Sequence, residues 1–345
     1  MRILVINNLI SGLRDGLIHD FIRDLIADGD ELVIRSTDGT TRLQDLLDDA
    51  KSFDLLVASG TDSTISAIAY ELRYTNVPIL PFPAGTSNLI AMNLDQPDEP
   101  FALAKLARST DGVTKSAAFD LGVLSVQVQR EDNDTDTKND TSNDTSNDTS
   151  NDTNSDNNSC ANTDSCTLEY GFAVIAGAGY DASIMRNSEK LKTTLGPLAY
   201  IASAISNPLP TVAHFTITLD DEILEIDGIA VLIVNFAEIW PELSITHEND
   251  AQDGLFEVVV LKPHSAVELL PAIFAAFLDS MGSFSGRTDA LEIRRSAHVR
   301  VESNPPLAIQ YDGEPIDATT PFEVQILPNA VRFVVSDDDL RKHPE

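Results

Sequence analysis

The segment from residue 55 to residue 92 constrains the fold most, because it contains a pattern of strand, turn and helix that occurs twice in succession. Residues 55–58, Leu-Leu-Val-Ala, form a short apolar run of the kind buried in a parallel sheet. Small and hydroxyl residues follow at 59–64, and apolar residues then recur at helical spacing through residue 72. The first unit is therefore predicted to be a strand, a tight turn and a helix.

The second unit follows at once, with a strand at 79–82, a turn at 83–86 and the start of a helix at 88–92. Backbone N–H groups at the start of a helix favour a phosphate. Ligands of open α/β sheets bind at the carboxyl ends of the strands. The two turns therefore indicate a nucleotide site, although ordinary strand-to-helix loops share the same pattern.

Strands and helices alternate through the first hundred residues, and strand follows strand after about residue 115. Alternation favours a parallel sheet with helical crossovers. We predict an α/β protein of two domains: an N-terminal Rossmann-like parallel-sheet domain and a C-terminal antiparallel β-rich sandwich domain. The predicted bounds are 1–115 for the first domain and 116–317 for the second, with 318–345 returning to the first.

Residues 130–166 interrupt the second domain with tandem repeats of Asn, Asp, Thr and Ser. Such a segment has little apolar surface to offset its ordering entropy, so we predict a disordered loop. The flanking stretches at 123–128 and 170–175 are predicted to be strands that pair as a hairpin.

The chain is strongly acidic, with 55 Asp and Glu against 23 Lys and Arg and a net charge of −32. This charge argues against binding to nucleic acid, and against broad electrostatic attraction to an anionic membrane. An acidic surface indicates adaptation to high salt, where charge repulsion is screened. An acidic cytosolic protein without that adaptation is the alternative.

The first residues read as a β-strand rather than as a secretory signal. No stretch of the sequence approaches the ~20 apolar residues that a membrane span requires. We therefore expect a cytoplasmic protein. The sequence leaves the oligomeric state open, with a homodimer as one candidate.

Two motifs carry a resemblance to a known family. Residues 60–64, Gly-Thr-Asp-Ser-Thr, lie where the diacylglycerol kinase and sphingosine kinase superfamily has Gly-Gly-Asp-Gly-Thr. Residues 83–88, Pro-Ala-Gly-Thr-Ser-Asn, resemble that family's Pro-x-Gly-Thr-x-Asn, which the related NAD kinases lack. Thr61 and Ser63 replace two glycines, which reduces the freedom of the backbone to approach a phosphate.

The resemblance implies an ATP site with Mg²⁺, formed by the motif residues and by the turn after the first strand. The turn at 8–12, Asn-Leu-Ile-Ser-Gly, is similar to the family's Asn-Pro-x-Ser-Gly. In this reading Asp62 orients Mg²⁺–ATP. The implied nucleotide-binding residues are Asn8, Gly12, Gly60, Asp62, Thr64, Gly85, Thr86 and Asn88.

Two further motifs resemble the family in the second half of the chain. Gln-Tyr-Asp-Gly-Glu-Pro at 310–315 implies that Asp312 is the catalytic base and that Glu314 assists with Mg²⁺ or with orientation. An ordinary hairpin turn would also explain Asp-Gly, and both readings hold together. Asp-Gly-Leu-Phe-Glu-Val at 253–258 is similar to a loop that holds a structural Mg²⁺ in bacterial relatives, with Asp253 as the implied ligand.

The resemblance thus implies an ATP-dependent lipid kinase that phosphorylates a hydroxyl of a diacylglycerol-like or other lipid alcohol, met peripherally at a membrane surface. No P-loop motif occurs in the sequence. Two alternatives stay open: a NAD kinase-like kinase of a soluble acceptor, and a nucleotide- or lipid-binding regulatory protein of the same fold that has lost turnover.

Overall fold

The computed structural model describes residues 1–11, 16–108, 114–129, 165–179, 211–240, 243–244, 249–263 and 291–336. Gly12 and most of the predicted insert at 130–166 lie outside these residues, as do residues 265–281, whose apolar side chains predict a helix. None of the helices within the described ranges is long and apolar enough to cross a membrane.

The first part of the chain alternates between strands and helices. Its elements are β1 (Arg2–Asn8), α1 (Leu17–Leu25), β2 (Glu31–Thr37), α2 (Leu43–Leu47), β3 (Leu55–Gly60), α3 (Asp62–Glu71), β4 (Ile79–Pro83), α4 (Leu89–Asn93) and α5 (Pro100–Ala107). Two short 3₁₀ turns, Leu9–Ser11 and Ala50–Ser52, complete it.

The remaining elements in the described part of the chain are strands. They are β5 (Ser116–Gln129), β6 (Ser165–Phe172), β7 (Ile175–Gly179), β8 (Ala213–Thr218), β9 (Ile223–Gly228), β10 (Ala230–Val234), β11 (Glu238–Trp240), β12 (Leu243–Ser244), β13 (Phe256–Leu261), β14 (Leu291–Ser296), β15 (His298–Asn304), β16 (Ala308–Tyr311), β17 (Glu314–Thr319) and β18 (Phe322–Val334).

The first sheet has parallel and antiparallel regions joined by the last strand. Its main order is β2-β1-β3-β4-β18-β15-β8-β9, and its first four strands pair in parallel. Strand β18 runs parallel to β4, where Phe333 pairs with Ile79, and antiparallel to β5 and β15. The end of the described chain therefore lies against the parallel strands of the N-terminal region, and the domain bounds remain a prediction.

Helices cover both faces of the parallel region, so all six residues of β3 are buried. Helix α1 turns Ile18, Phe21 and Leu25 inward at helical spacing, in one core with α5. Helix α3 buries Ile65 and Ile68 in the core on the opposite face. This packing holds the carboxyl ends of β1, β3 and β4 side by side.

The second sheet is entirely antiparallel, with the order β14-β13-β10-β7-β16-β17. It packs on the antiparallel region of the first sheet around a shared apolar core. Phe172 of β6 and Phe256 of β13 stack across this core with their ring centroids 5.7 Å apart. The predicted α/β class, with a parallel N-terminal region and a β-rich sandwich, is confirmed.

The predicted hairpin around the insert is confirmed, because β5 pairs antiparallel with β6. Its second strand was placed wrongly: β6 begins at Ser165 and ends at Phe172, and the chain bends at residues 173–174 before β7. The sequence at 170–175 is a continuous apolar run, so it predicted one uninterrupted strand. Apolar residues alone do not indicate where a buried strand ends and the next begins.

Candidate functional site

The turn after β3 is stabilised by a hydrogen bond between its own residues and by close packing against α3. Thr61 is the N-cap of α3, with extended backbone, and its Oγ1 accepts a hydrogen bond from the Thr64 backbone N–H at 3.4 Å. A Cβ atom on Gly60 would lie 2.7 Å from the Cβ of Thr64. Glycine is therefore needed at residue 60 because the chain approaches its own helix too closely for a side chain.

Asp62 connects the two predicted phosphate turns. Its carboxylate is buried and accepts hydrogen bonds from the backbone N–H groups of Leu89 at 3.0 Å and Ile90 at 2.9 Å, so it caps α4. Burial raises the pKa of Asp62 to about 6, against the two backbone bonds that lower it, and the nearby Asp312 carboxylate adds to the rise. Asp62 thus has a structural role in addition to its predicted place beside the nucleotide.

The second turn has the same kind of internal bracing. Asn88 has a left-handed backbone, with φ of 52°, and its Oδ1 accepts a hydrogen bond from the Gly85 backbone N–H at 2.9 Å. A Cβ atom on Gly85 would come 3.0 Å from the Cα of Thr61, so the two turns are in direct contact. Thr86 lies in the same turn and is half-buried.

Side-chain hydroxyls form a connected group at the start of α3. Thr61 Oγ1 lies 2.8 Å from Ser63 Oγ and 3.1 Å from Thr64 Oγ1. Asn8, at the end of β1, donates from Nδ2 to Thr64 Oγ1 at 2.9 Å. The structure therefore brings together Asn8, Gly60, Asp62, Thr64, Gly85 and Asn88, as the sequence motifs predicted.

Asp312 enters this region from the other side, on the turn between β16 and β17. Asp312 and Gly313 have φ of 42° and 84°, as the central residues of the predicted type I′ hairpin turn require. The backbone N–H of Asp312 donates to the carbonyl oxygen of Ile175 at 2.8 Å. The turn is thereby fastened to the start of β7.

The carboxylate of Asp312 lies in a cradle of hydrogen-bond donors. Its Oδ1 accepts from the backbone N–H groups of Val174 and Ile175, both at 2.9 Å. Its Oδ2 accepts from the backbone N–H of Ala173 at 2.9 Å and from the hydroxyl of Ser66. These four donors match the roughly four acceptor positions of an ionised carboxylate, so the side chain is held in one orientation.

Burial and hydrogen bonding act on Asp312 in opposite directions. The side chain is only 8% exposed, and this burial raises the pKa of Asp312 above its usual range. The hydrogen bonds from Ser66 and from the cradle lower the pKa without cancelling the effect of burial. A carboxylate with a raised pKa and a fixed orientation is suited to accept a proton.

Glu314 also contacts helix α3, through a hydrogen bond of 3.3 Å from Ser63 Oγ to Glu314 Oε1. The helix that begins at the turn after β3, the predicted nucleotide turn, therefore touches both carboxylates that the sequence motifs indicate. The sequence reasoning missed Ser66 and the cradle at 173–175. Ser66 left one weak signal, as a polar residue between the apolar residues Ile65 and Ile68.

The residues around Asp253 do not fit the predicted structural Mg²⁺. The carboxylate of Asp253 forms an ion pair with Arg295 of β14, and its Oδ1 accepts from the Leu255 backbone N–H at 2.9 Å. The side-chain amide of Gln252 donates to the carbonyl oxygen of Ala118. Within the described ranges no group of three or more His, Cys, Asp or Glu side chains is placed so that it could hold a metal ion. A guanidinium thus supplies the positive charge that a metal would bring.

Two family descriptions match the sequence. The diacylglycerol kinase catalytic domain matches residues 2–118, and the YegS C-terminal NAD kinase beta sandwich-like domain matches residues 174–335. The first covers the parallel region with both turns. The second covers Val174 and Ile175 of the cradle, the second sheet and the Asp312 hairpin.

Curated relatives match at low identity and over part of their length. An uncharacterized protein of Synechocystis sp. is 25% identical over 294 residues, which cover 83% of this chain and 55% of the relative. A Staphylococcus epidermidis protein provisionally named a lipid kinase is 27% identical over 158 residues, 44% of this chain and 50% of the relative. The chain spans about half the length of these relatives.

Solved structures share the fold. A Bacillus anthracis protein provisionally named a diacylglycerol kinase superposes with a TM-score of 0.65 at 14% identity, covering 98% of each chain. The NAD kinase of Archaeoglobus fulgidus, solved in complex with ATP, superposes with a TM-score of 0.50 at 12% identity, covering 99% of this chain and 96% of its own.

Proposed function

The chain belongs to the lipid kinase superfamily of the diacylglycerol kinases, and from this premise we propose that it transfers the γ-phosphate of ATP to a hydroxyl of a lipid alcohol. The observation that carries the proposal is the position of helix α3. Its first turn follows directly on the proposed nucleotide turn and contacts Glu314 through Ser63, and its second turn contacts the carboxylate of Asp312 through Ser66. One helix therefore links a phosphate-sized turn to a candidate base.

In the proposed reaction the two turns hold Mg²⁺–ATP as a substrate. We place the phosphates beside Gly60, at the start of α3, where backbone N–H groups favour an anion, and beside Gly85 and Thr86 in the adjoining turn. The first N–H groups of α4 are not available to a phosphate, because they donate to Asp62. Asn8, Thr64, Thr86 and Asn88 line the same region, and Asp62 keeps the two turns together. Gly12 keeps its proposed role, although it lies outside the described residues.

Asp312 would accept the proton of the acceptor hydroxyl as that oxygen attacks the γ-phosphorus, while Glu314 orients the reactants. Positioning and charge neutralisation supply most of the catalysis in phosphoryl transfer, which suits a fixed carboxylate. A lipid acceptor would be met peripherally at a membrane surface, in the cytoplasm. Membrane contact, location and a homodimer are parts of this proposal.

One observation favours the alternative of a regulatory protein without turnover. All the acceptor positions of the Asp312 carboxylate are engaged, so a donor must move before it can accept a proton. Thr61 also caps an N–H of α3 that a phosphate would use. A NAD kinase-like activity is supported only by the similarity of this fold to that of the Archaeoglobus fulgidus NAD kinase.

A transfer assay tests the proposal. The purified chain is incubated with Mg²⁺ and γ-labelled ATP, at low and at molar salt, with diacylglycerol, sphingoid bases and other lipid alcohols in mixed micelles, and separately with NAD. We expect label in at least one lipid and none in NAD. Label in NAD alone would support the soluble-acceptor reading. Binding of ATP or lipid without transfer would support the regulatory reading.

A further inference from the structure

Two serines of α3 match the two carboxylates of the β16–β17 hairpin. Ser63 and Ser66 lie three residues apart, on one face of the helix, and Asp312 and Glu314 lie two residues apart on the hairpin. Ser63 donates to Glu314 and Ser66 donates to Asp312. The helix therefore contacts both carboxylates through hydroxyls, one from each of its first two turns.

Ser66 is fully buried, and its hydroxyl has partners on two elements. It donates to Asp312 Oδ2 and accepts from the backbone N–H of Ala173 at 3.0 Å. Alanine has a higher helix propensity and would suit the apolar surroundings, so neither the helix nor the core requires a serine here. Burying a hydroxyl costs free energy unless the hydroxyl is hydrogen-bonded. The hydrogen bonds of Ser66 therefore account for a serine at this position.

The other groups around Asp312 are carboxylates or backbone N–H donors, whereas Ser66 contributes a side-chain hydroxyl. Asp62 of the same helix interacts electrostatically with Asp312, and Glu314 is the second carboxylate of the hairpin. Ala173 and Val174, in the bend before β7, contribute backbone N–H groups and no titratable side chain. Among the described residues that bond the carboxylate, Ser66 is the one that does so through a side chain.

We propose that Ser66 is a positioning residue: its hydroxyl fixes the Asp312 carboxylate relative to the nucleotide turn at the start of the same helix, so that Asp312 faces an acceptor hydroxyl beside the γ-phosphate. This inference rests on the proposed kinase function. A hydroxyl turns about a single bond, whereas the three backbone donors are fixed. Ser66 is therefore also the donor that can release a lone pair of Asp312 when the acceptor arrives.

The test compares the wild type with Ser66→Ala over a range of pH. A hydrogen bond to the ionised carboxylate lowers its pKa, so losing this bond should move the acidic limb of kcat/KM to higher pH by about one unit. We expect kcat to fall about tenfold, while KM for ATP changes less than about twofold, since Ser66 does not touch the nucleotide turn. Ser66→Thr keeps the hydroxyl and should restore the limb.

Ser296→Ala is the matched control. Ser296 is also a buried serine whose hydroxyl donates to an aspartate, Asp220, at 2.8 Å, but it lies on β14 at a distant edge of the second sheet. This variant should lower stability to a similar extent and leave the pH profile of transfer unchanged. A shifted limb in Ser296→Ala would show that the effect is general and would overturn the inference.

Two outcomes separate this inference from the proposed function. If the wild type transfers phosphate and Ser66→Ala has the same profile and kcat, Ser66 does not position the base. If the wild type transfers phosphate to no acceptor, the proposed function fails. Melting curves recorded over a range of pH then test separately whether Ser66 fixes the Asp312 carboxylate. A gap between wild-type and Ser66→Ala melting temperatures that widens as Asp312 ionises would show that Ser66 fixes the carboxylate. A difference in melting temperature that stays constant with pH would show that Ser66 does not fix the carboxylate.

Discussion

The side chain of Glu314 accepts a hydrogen bond from Ser63, a residue 251 positions earlier in the chain. Ser63 stands where the related kinase motif has a glycine. Its hydroxyl joins the first turn of α3 to the hairpin of the second sheet, so the departure from the motif has a structural consequence. This contact connects the two sides of the proposed active site.

The first prediction concerns this contact. Ser63→Ala removes the hydroxyl and keeps a good helix former, so the free energy of unfolding should fall by about 1 kcal/mol, the usual worth of a hydrogen bond. Ser63→Gly should cost about a further 1 kcal/mol through its lower helix propensity. Denaturant titration of both variants measures the difference. Equal stability of Ser63→Ala and wild type would show that the contact contributes nothing.

The second prediction concerns the raised pKa of Asp62. The pKa of Asp62 is about 6 in the folded protein against an ordinary value of 3.8, so between these pH values the folded state holds a proton that the unfolded state has lost. Stability from this group is therefore lost as the pH rises from about 4 to about 6, by roughly 3 kcal/mol. Urea titrations across this range should show a steeper fall in wild type than in Asp62→Asn. Parallel curves would contradict the buried titration.

The third prediction concerns the cradle of Asp312. Asparagine offers one acceptor oxygen and turns an amide NH₂ toward at least one cradle N–H, so Asp312→Asn should lower the free energy of unfolding by about 1–3 kcal/mol. Turnover should fall by about 10²-fold or more, the usual contribution of a positioned base. Asp317→Asn, on the exposed face of β17, is the control and should change neither quantity. Wild-type turnover in Asp312→Asn would remove Asp312 as the base.

The fourth prediction concerns Asp253. Because Arg295 already neutralises its carboxylate, the melting temperature measured at molar salt, where surface charges are already screened, should be the same in EDTA and in millimolar Mg²⁺. Arg295→Ala should cost up to about 1 kcal/mol, as for other partly exposed ion pairs. A rise of several degrees on adding Mg²⁺ to wild type would show that the loop binds a metal despite the arginine.

The fifth prediction concerns salt. With a net charge of −32, repulsion between surface carboxylates extends over ~30 Å at low ionic strength. The chain should lose stability or aggregate when it is dialysed from molar salt to millimolar salt. The same melting temperature in both would support an acidic protein without adaptation to high salt.

The sequence by itself determined the features that depend on residues close together in the chain. The alternation of strand, turn and helix predicted the parallel region, and Asp-Gly at 312–313 predicted the hairpin turn that is observed. The motif residues Gly60, Asp62 and Asn88 were also predicted to lie together. Short-range sterics and hydrophobic periodicity fix such features wherever the segment is placed.

Only the tertiary structure decided which distant groups meet. Ser66 and Asp312 are 246 positions apart, and Asp253 and Arg295 are 42 positions apart. No periodicity links such pairs, because their contact depends on how β18 joins the two halves of the first sheet and on how the second sheet packs against it. The bend before β7 gives no sequence signal either, since its donors are backbone N–H groups that every residue except proline carries.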